Sequence, residues 1–176
     1  MTNQLVIAAL GEDRPGLVDS LSGWIMDNGC NIADSRMMVL GGEFAVLLLV
    51  TGNWNSLAKL ENQIAQTEKQ LGMTINVKRT SVRPQRGDLL PYAVDVVSLD
   101  HPGIVHNLAS FFSRRNINIQ ELNTTQYAAA HTGTPMFAVQ ITANIPASQH
   151  IAGLRDEFLD FCETQNMDAT IEPAKF

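Results

Sequence analysis

The chain has 176 residues and a formal net charge of −6, with 45% hydrophobic and 17% charged residues. That length holds one ordinary domain or two small ones, and the composition supports a packed core rather than disorder. The acidic balance argues against a broad phosphate-binding surface, and no apolar run approaches the roughly 18–20 residues of a membrane-spanning helix.

The opening stretch MTNQLVIAAL has no basic segment ahead of its apolar run, so a strand over about 4–10 is expected rather than a secretory signal. A turn, GEDRPGLV at 11–18, follows. Leu17, Val18, Leu21, Trp24 and Ile25 then recur at the spacing of an amphipathic helix, and Asn28-Gly29 supplies its stop. A strand over about 31–40 meets Gly41-Gly42, a two-residue hairpin signal, and a second strand covers 43–51. Capping side chains within 53–56 start a helix with Leu57, Leu60, Ile64 and Leu71 on one face. Gly72 ends it, and MTINVKRT makes a last strand.

The same order returns after a Pro- and Gly-bearing linker, SVRPQRGDLLP. An offset of 87 lays Asp13-Arg14-Pro15-Gly16-Leu17-Val18 on Asp100-His101-Pro102-Gly103-Ile104-Val105, and Asn31-Ile32 on Asn118-Ile119. The offset grows to 93 and 94 further on, because the second copy has a longer YAAAHTGTP segment with an insertion at 128–134. The expectation is an α+β protein of two tandem ferredoxin-like βαββαβ domains, each an antiparallel sheet with helices on one face. Domain 1 covers 1–80, the linker 81–91 and domain 2 92–176.

A sheet with helices on one side leaves its other face to water or a partner. Alternation puts Asp95, Gln140 and Thr142 on the open face of domain 2, but Ala8, Leu47 and Leu49 on that of domain 1. The first open face is therefore expected to be covered, by the second domain or by another chain.

In each D-x-P-G turn the proline suits the first turn of a helix, and Asp13 and Asp100 are placed to accept from its free N–H groups. Gly16 and Gly103 allow close backbone approach. A small carboxylate would suit the helix N-terminus. An ammonium could then be accepted by Asp13, Asn31 or Asp34 in copy one, and by Asp100, Asn118 or Glu121 in copy two. The plain alternative is a capped helix start with no ligand. The turn is not a phosphate loop: it lacks both G-x-x-x-x-G-K-[ST] and G-x-G-x-x-G, and its acids would repel phosphate.

A βαββαβ unit with Asp13, Pro15 and Gly16 after strand one and Gly29, Asn31 and Ile32 at strand two resembles the ACT domain, a regulatory amino-acid-binding module. Copy two matches with Asp100, Pro102, Gly103, Asn118 and Ile119, but has Asn116 where copy one has Gly29, which bears on whether the two sites are equivalent. Two bare ACT domains over nearly the whole chain resemble the glycine cleavage system transcriptional repressor family. The resemblance implies a non-enzyme that senses glycine or another small amino acid and contacts a DNA-binding activator of glycine cleavage genes. It also implies no cofactor and no direct nucleic-acid or membrane contact. Homo-oligomerisation would come through ACT–ACT packing, with ligand where the turn of one domain meets the second strand of its neighbour. Its ligand-binding positions are Asp13, Pro15, Gly16, Leu17, Asn31, Ile32, Asp34, Asp100, Pro102, Gly103, Ile104, Asn118 and Ile119.

Other readings carry less. His101, His106, His131 and His150 make no i, i+4 metal pair, and no G-x-S-x-G nucleophile motif occurs. Cys30 and Cys162 form no C-x-x-C and read as small core residues of a reduced, cytoplasmic protein. Trp24, Phe111 and Phe112 read as core. Lys78, Arg79, Arg83 and Arg86 read as a solvated basic linker, with direct DNA binding as the alternative. A regulatory adaptor for a metabolic enzyme is a further reading.

Overall fold

The computed structural model describes residues 3–82 and 87–175. Its elements run β1 (Asn3–Glu12), α1 (Leu17–Asp27), β2 (Asn31–Leu40), β3 (Glu43–Gly52), α2 (Trp54–Leu71) and β4 (Met73–Thr80). The order then repeats as β5 (Leu89–Leu99), α3 (Ile104–Ser113), β6 (Asn118–Ala128), β7 (Pro135–Pro146), α4 (Ile151–Thr164) and β8 (Asp168–Pro173). The chain divides into two compact units, Met1–Pro84 and Gln85–Phe176. Each holds one antiparallel four-stranded sheet, ordered β2-β3-β1-β4 and β6-β7-β5-β8. This is the tandem ferredoxin-like arrangement that the repeat implies. Strand β5 begins at Leu89, so the chain is already in the sheet at 89–91, where the composition reads as linker.

Each unit buries the helix-facing side of its sheet. In the first, Leu5, Ile7, Val46, Leu48 and Val50 meet Leu17, Leu21, Ile25, Leu57 and Leu60. In the second, Phe111, Phe112 and Phe158 supply much of the core, with ring centroids 5.1–5.4 Å apart in edge-on and tilted pairs. Among the described residues no helix is long and apolar enough to cross a membrane.

The duplication extends to detail. Helix α1 ends on Gly29 at φ 69° and α2 on Gly72 at φ 64°; the equivalent positions hold Asn116 at φ 56° and Asn166 at φ 55°. Asparagine is the side chain best suited to left-handed backbone after glycine. The Gly29-to-Asn116 departure therefore leaves the chain path unchanged. A second matched set lies between the helices. In the first unit Trp24 Nε1 and Asn28 Nδ2 both donate to Gln63 Oε1 at 2.9 Å, and Asn28 also donates to the Trp24 carbonyl at 2.8 Å. In the second, Arg115 donates to Glu157 Oε2 at 2.8 Å and to the Phe111 carbonyl at 3.0 Å, with its guanidinium 3.7 Å from the Phe111 ring centre. The same three positions carry a neutral network in one unit and an ion pair in the other.

At Gly29 the left-handed backbone predicts that Gly29→Ala costs about 1–2 kcal/mol, while Gly29→Asn loses less. Urea midpoints at constant m-value measure this; an unchanged midpoint for the alanine variant contradicts it.

Candidate functional site

Both D-x-P-G turns have one geometry. Gly16 (φ 90°, ψ −5°) and Gly103 (φ 96°, ψ −5°) are the N-cap residues of α1 and α3 in left-handed backbone, and neither helix receives a side-chain cap. The expected capping by Asp13 and Asp100 does not occur. The left-handed glycine reverses the chain immediately before the helix, and the aspartate, three residues upstream, belongs to the strand end instead. Asp13 N–H donates to the Gly42 carbonyl at 3.1 Å and Asp100 N–H to the Pro135 carbonyl at 3.0 Å, tying each turn to its adjoining hairpin strand. The other two helices are capped: Asn53 Oδ1 accepts from Ser56 N–H at 2.8 Å, and His150 Nδ1 from Gly153 N–H at 3.1 Å.

The first intrahelical bonds run from Ser20 N–H to the Gly16 carbonyl and from Asn107 N–H to the Gly103 carbonyl, both 2.9 Å. The N–H groups of Leu17, Val18 and Asp19, and of Ile104, Val105 and His106, precede them and have no partner within the helix. Nothing lies within 4 Å of where a Cβ on Gly16 or Gly103 would stand, so the space over each turn is open. A helix N-terminus of this kind suits a carboxylate.

The two turns differ in their carboxylates. Asp100 Oδ2 accepts from Gln126 Nε2 at 2.6 Å, while Asp13 is exposed and, among the described residues, accepts no side-chain hydrogen bond. Arg14 Nη2 is committed to the Leu71 carbonyl at 2.8 Å, and His101 lies exposed beside Pro102. Pro15 and Pro102 are exposed; Leu17 and Ile104 point into the core and offer a ligand only their backbone.

The second set of expected residues sits at the other end of each sheet. Asn31 pairs with Thr51, which pairs with Gln4, whereas the turn follows Glu12. From Gln4 to Glu12 is roughly 26 Å at about 3.3 Å per strand residue. Asn118 is likewise paired with Asn144, far from the Leu99 end of β5. One domain therefore cannot bring its turn and its own Asn-Ile strand start onto one small ligand.

A β-bulge shapes this second half-site in both units, shifting register between Ile32 and Asp34 and between Ile119 and Glu121. In a regular strand Ile32 and Asp34 would share a face. The bulge keeps Ile32 and Ile119 against the core, and turns Asp34 and Glu121 to the open face, opposite Leu49 and Thr142. Asn31 and Asp34 thus lie side by side on that face. Asp34 already accepts from Arg36 at 2.6 Å and from Ser35 N–H at 2.8 Å, and the Arg36 hydrogen bond holds its carboxyl below the usual range. Asn31 is the freer of the two.

Several other chemistry-bearing residues have structural roles. Arg79 of the basic run grips Glu61 with two bonds of 2.8 and 2.7 Å, which leaves it poorly disposed to phosphate; Arg83 and Arg86 fall outside the described residues. Trp24 is half-buried on the α1 stripe. Burial pushes the Cys162 thiol up to about 12 and raises that of Cys30.

Comparison with known proteins matches residues 3–78 to an ACT domain model. The glycine cleavage system transcriptional repressor of Escherichia coli (strain K12) is 33% identical over 172 residues, covering 98% of this chain and 90% of the relative. A crystal structure described under the same repressor name superposes with a TM-score of 0.72 at 27% identity, over 100% of this chain and 99% of the other. A Galdieria sulphuraria protein shares the fold, with a TM-score of 0.78 at 24% identity over 99% and 100% of the two chains.

The burial of Cys162 yields a check: at pH 8 it should react with a thiol reagent only at the rate of global unfolding. Labelling of Cys162 within seconds in folded protein, read by peptide mass spectrometry, contradicts this.

Proposed function

The chain belongs to the glycine cleavage system transcriptional repressor family, and from that premise we propose that it binds a small amino acid, glycine in our reading, and controls a DNA-binding activator. Its regulatory role and non-enzymatic character accord with that family. In the proposed complex the ligand carboxylate meets the N–H groups of Leu17 to Asp19, and Asp13 accepts from the ammonium. Asn31 comes from the β2 edge of a neighbouring ACT domain and completes the shell.

The observation that carries this reading is the contrast among the four helices: α2 and α4 have side-chain caps, while α1 and α3, which follow the D-x-P-G turns, have none. Of the two open turns we assign the effector to the first. Asp13 accepts no side-chain hydrogen bond among the described residues, while a ligand at Asp100 would displace Gln126. Control through a protein partner, rather than through DNA directly, accords with the net charge of −6.

Glycine has five heavy atoms, so a ceiling near −1.5 kcal/mol per atom sets the tightest Kd at a few micromolar. At 100 times Kd it adds about 2.7 kcal/mol to stability. A thermal melt with glycine to about 10 mM should therefore rise in the parent and in Asp100→Ala, and respond little in Asp13→Ala. A parent melt unmoved by any of the twenty amino acids at that concentration overturns effector binding. Pull-down of a DNA-binding activator should differ with and without glycine; the same activator in equal yield in both overturns ligand control.

A further inference from the structure

The two units share a backbone but not an open face. In the second, the cross-strand rows read Glu121–Thr142–Ala93–Glu172, Asn123–Gln140–Asp95–Thr170 and Thr125–Ala138–Val97–Asp168, a polar surface with four carboxylates. In the first, they read Asp34–Leu49–Val6–Lys78, Arg36–Leu47–Ala8–Asn76 and Met38–Ala45–Leu10–Thr74. In these three rows apolar side chains fill the two central strands and polar groups hold the edge strands, apart from Met38; the next row, Leu40–Glu43–Glu12, is acidic on the central strands. Leu47 is 52% exposed, Leu10 50% and Met38 41%.

The placement of charge on that face names its occupant. A two-fold axis parallel to the strands, midway between two sheets packed face to face, lays β2 over the partner's β4 and β3 over the partner's β1. Heights along the strands are kept. Asp34 then meets Lys78 of the partner subunit, Arg36 meets the partner's Asn76, and Leu47 packs on the partner's Ala8. The first two rows are complementary to themselves reversed, acid to base, donor to acceptor and apolar to apolar; in the third Leu10 packs on the partner's Ala45, and at the rim beyond it Glu43 faces the partner's Glu12. We propose that the chain forms an isologous dimer through the open sheet face of its first unit, with Asp34 and Lys78 as the reciprocal pair that sets its register.

The size of the face suits this. Four strands about 4.8 Å apart and about 25 Å long present roughly 500 Å² per copy, so the two copies bury about 1,000 Å², the area of a weak, reversible interface. Aligned sheets pack at about 10 Å with their strands within about 30° of parallel, a gap that long Lys and Arg side chains can span. The second unit's face, with carboxylates at Asp95, Glu121, Asp168 and Glu172, would repel itself in the same arrangement. The inference does not rest on effector binding: the N-terminus of α1 is not on this face, and Asn31, which is, lies one row outside the three that carry the contact.

Sedimentation velocity on the full chain at about 1–100 µM tests it. The parent should associate to a dimer, and Leu47→Glu should remain monomeric with its helical and sheet signal intact. Asp34→Lys and Lys78→Asp should each weaken association by about tenfold, and the combined variant should return to within a few-fold of the parent. Any repulsion between a lysine at 34 and Arg36 of the same chain is common to Asp34→Lys and the combined variant, so the rescue of the former by Lys78→Asp isolates the contact across the axis. Gln140→Glu, on the other sheet, should change nothing. A parent monomeric at 100 µM, a Leu47→Glu variant that dimerises like the parent, or a combined variant no better than the singles overturns the proposal. If Leu47→Glu does not fold, the exposed 34/78 exchange decides the matter alone.

Discussion

A four-stranded sheet that carries both its helices on one side has a face that no element of its own fold covers. The rest of this molecule depends on that constraint. It decides which residues form each core, where the bulged strands turn their acids, and how two units with one backbone diverge. The second unit meets it with carboxylates and amides, which water solvates. The first presents Leu47, Leu49, Val6, Ala8 and Leu10 instead, a surface that is stable in water only at a cost proportional to its apolar area.

The same constraint explains why the residues expected to bind one ligand fall into two groups. The helix returns the chain along the sheet before β2 starts, so the D-x-P-G turn and the Asn-Ile strand start stand at opposite ends of β1. Only a neighbouring domain can bring one group to the other. A regulator built from such units links ligand affinity to domain association, since a ligand that bridges two domains stabilises their contact by its own binding free energy.

Much of this was readable in the residues. Helical spacing over 17–25, the Gly41-Gly42 hairpin and the repeat at an offset of 87 each specify local structure, and their agreement leaves one topology. Alternation also separated the two open faces, because Leu47 and Gln140 lie at the same register position. Three features were hidden. The bulge was marked only by an apparent conflict, an isoleucine and an acid two residues apart in each copy, which a regular strand would put on one face. Asp13 and Asp100 carry the residue type of a cap, yet the left-handed backbone at Gly16 and Gly103 moves the cap position past them. The engagement of Asp100 by Gln126 pairs residues 26 apart, and no local pattern announces it.

The assignment we propose places the effector at the uncapped start of α1, with Asp13 distinguishing it from α3. An amide-detected NMR titration of the full chain with glycine tests this most directly. Saturable shifts are expected at Gly16, Leu17, Val18 and Asp19, with a smaller response at Asn31 and little at Gly103 to Val105. Shifts confined to the second turn, or no shift at either turn up to about 10 mM glycine, would contradict it.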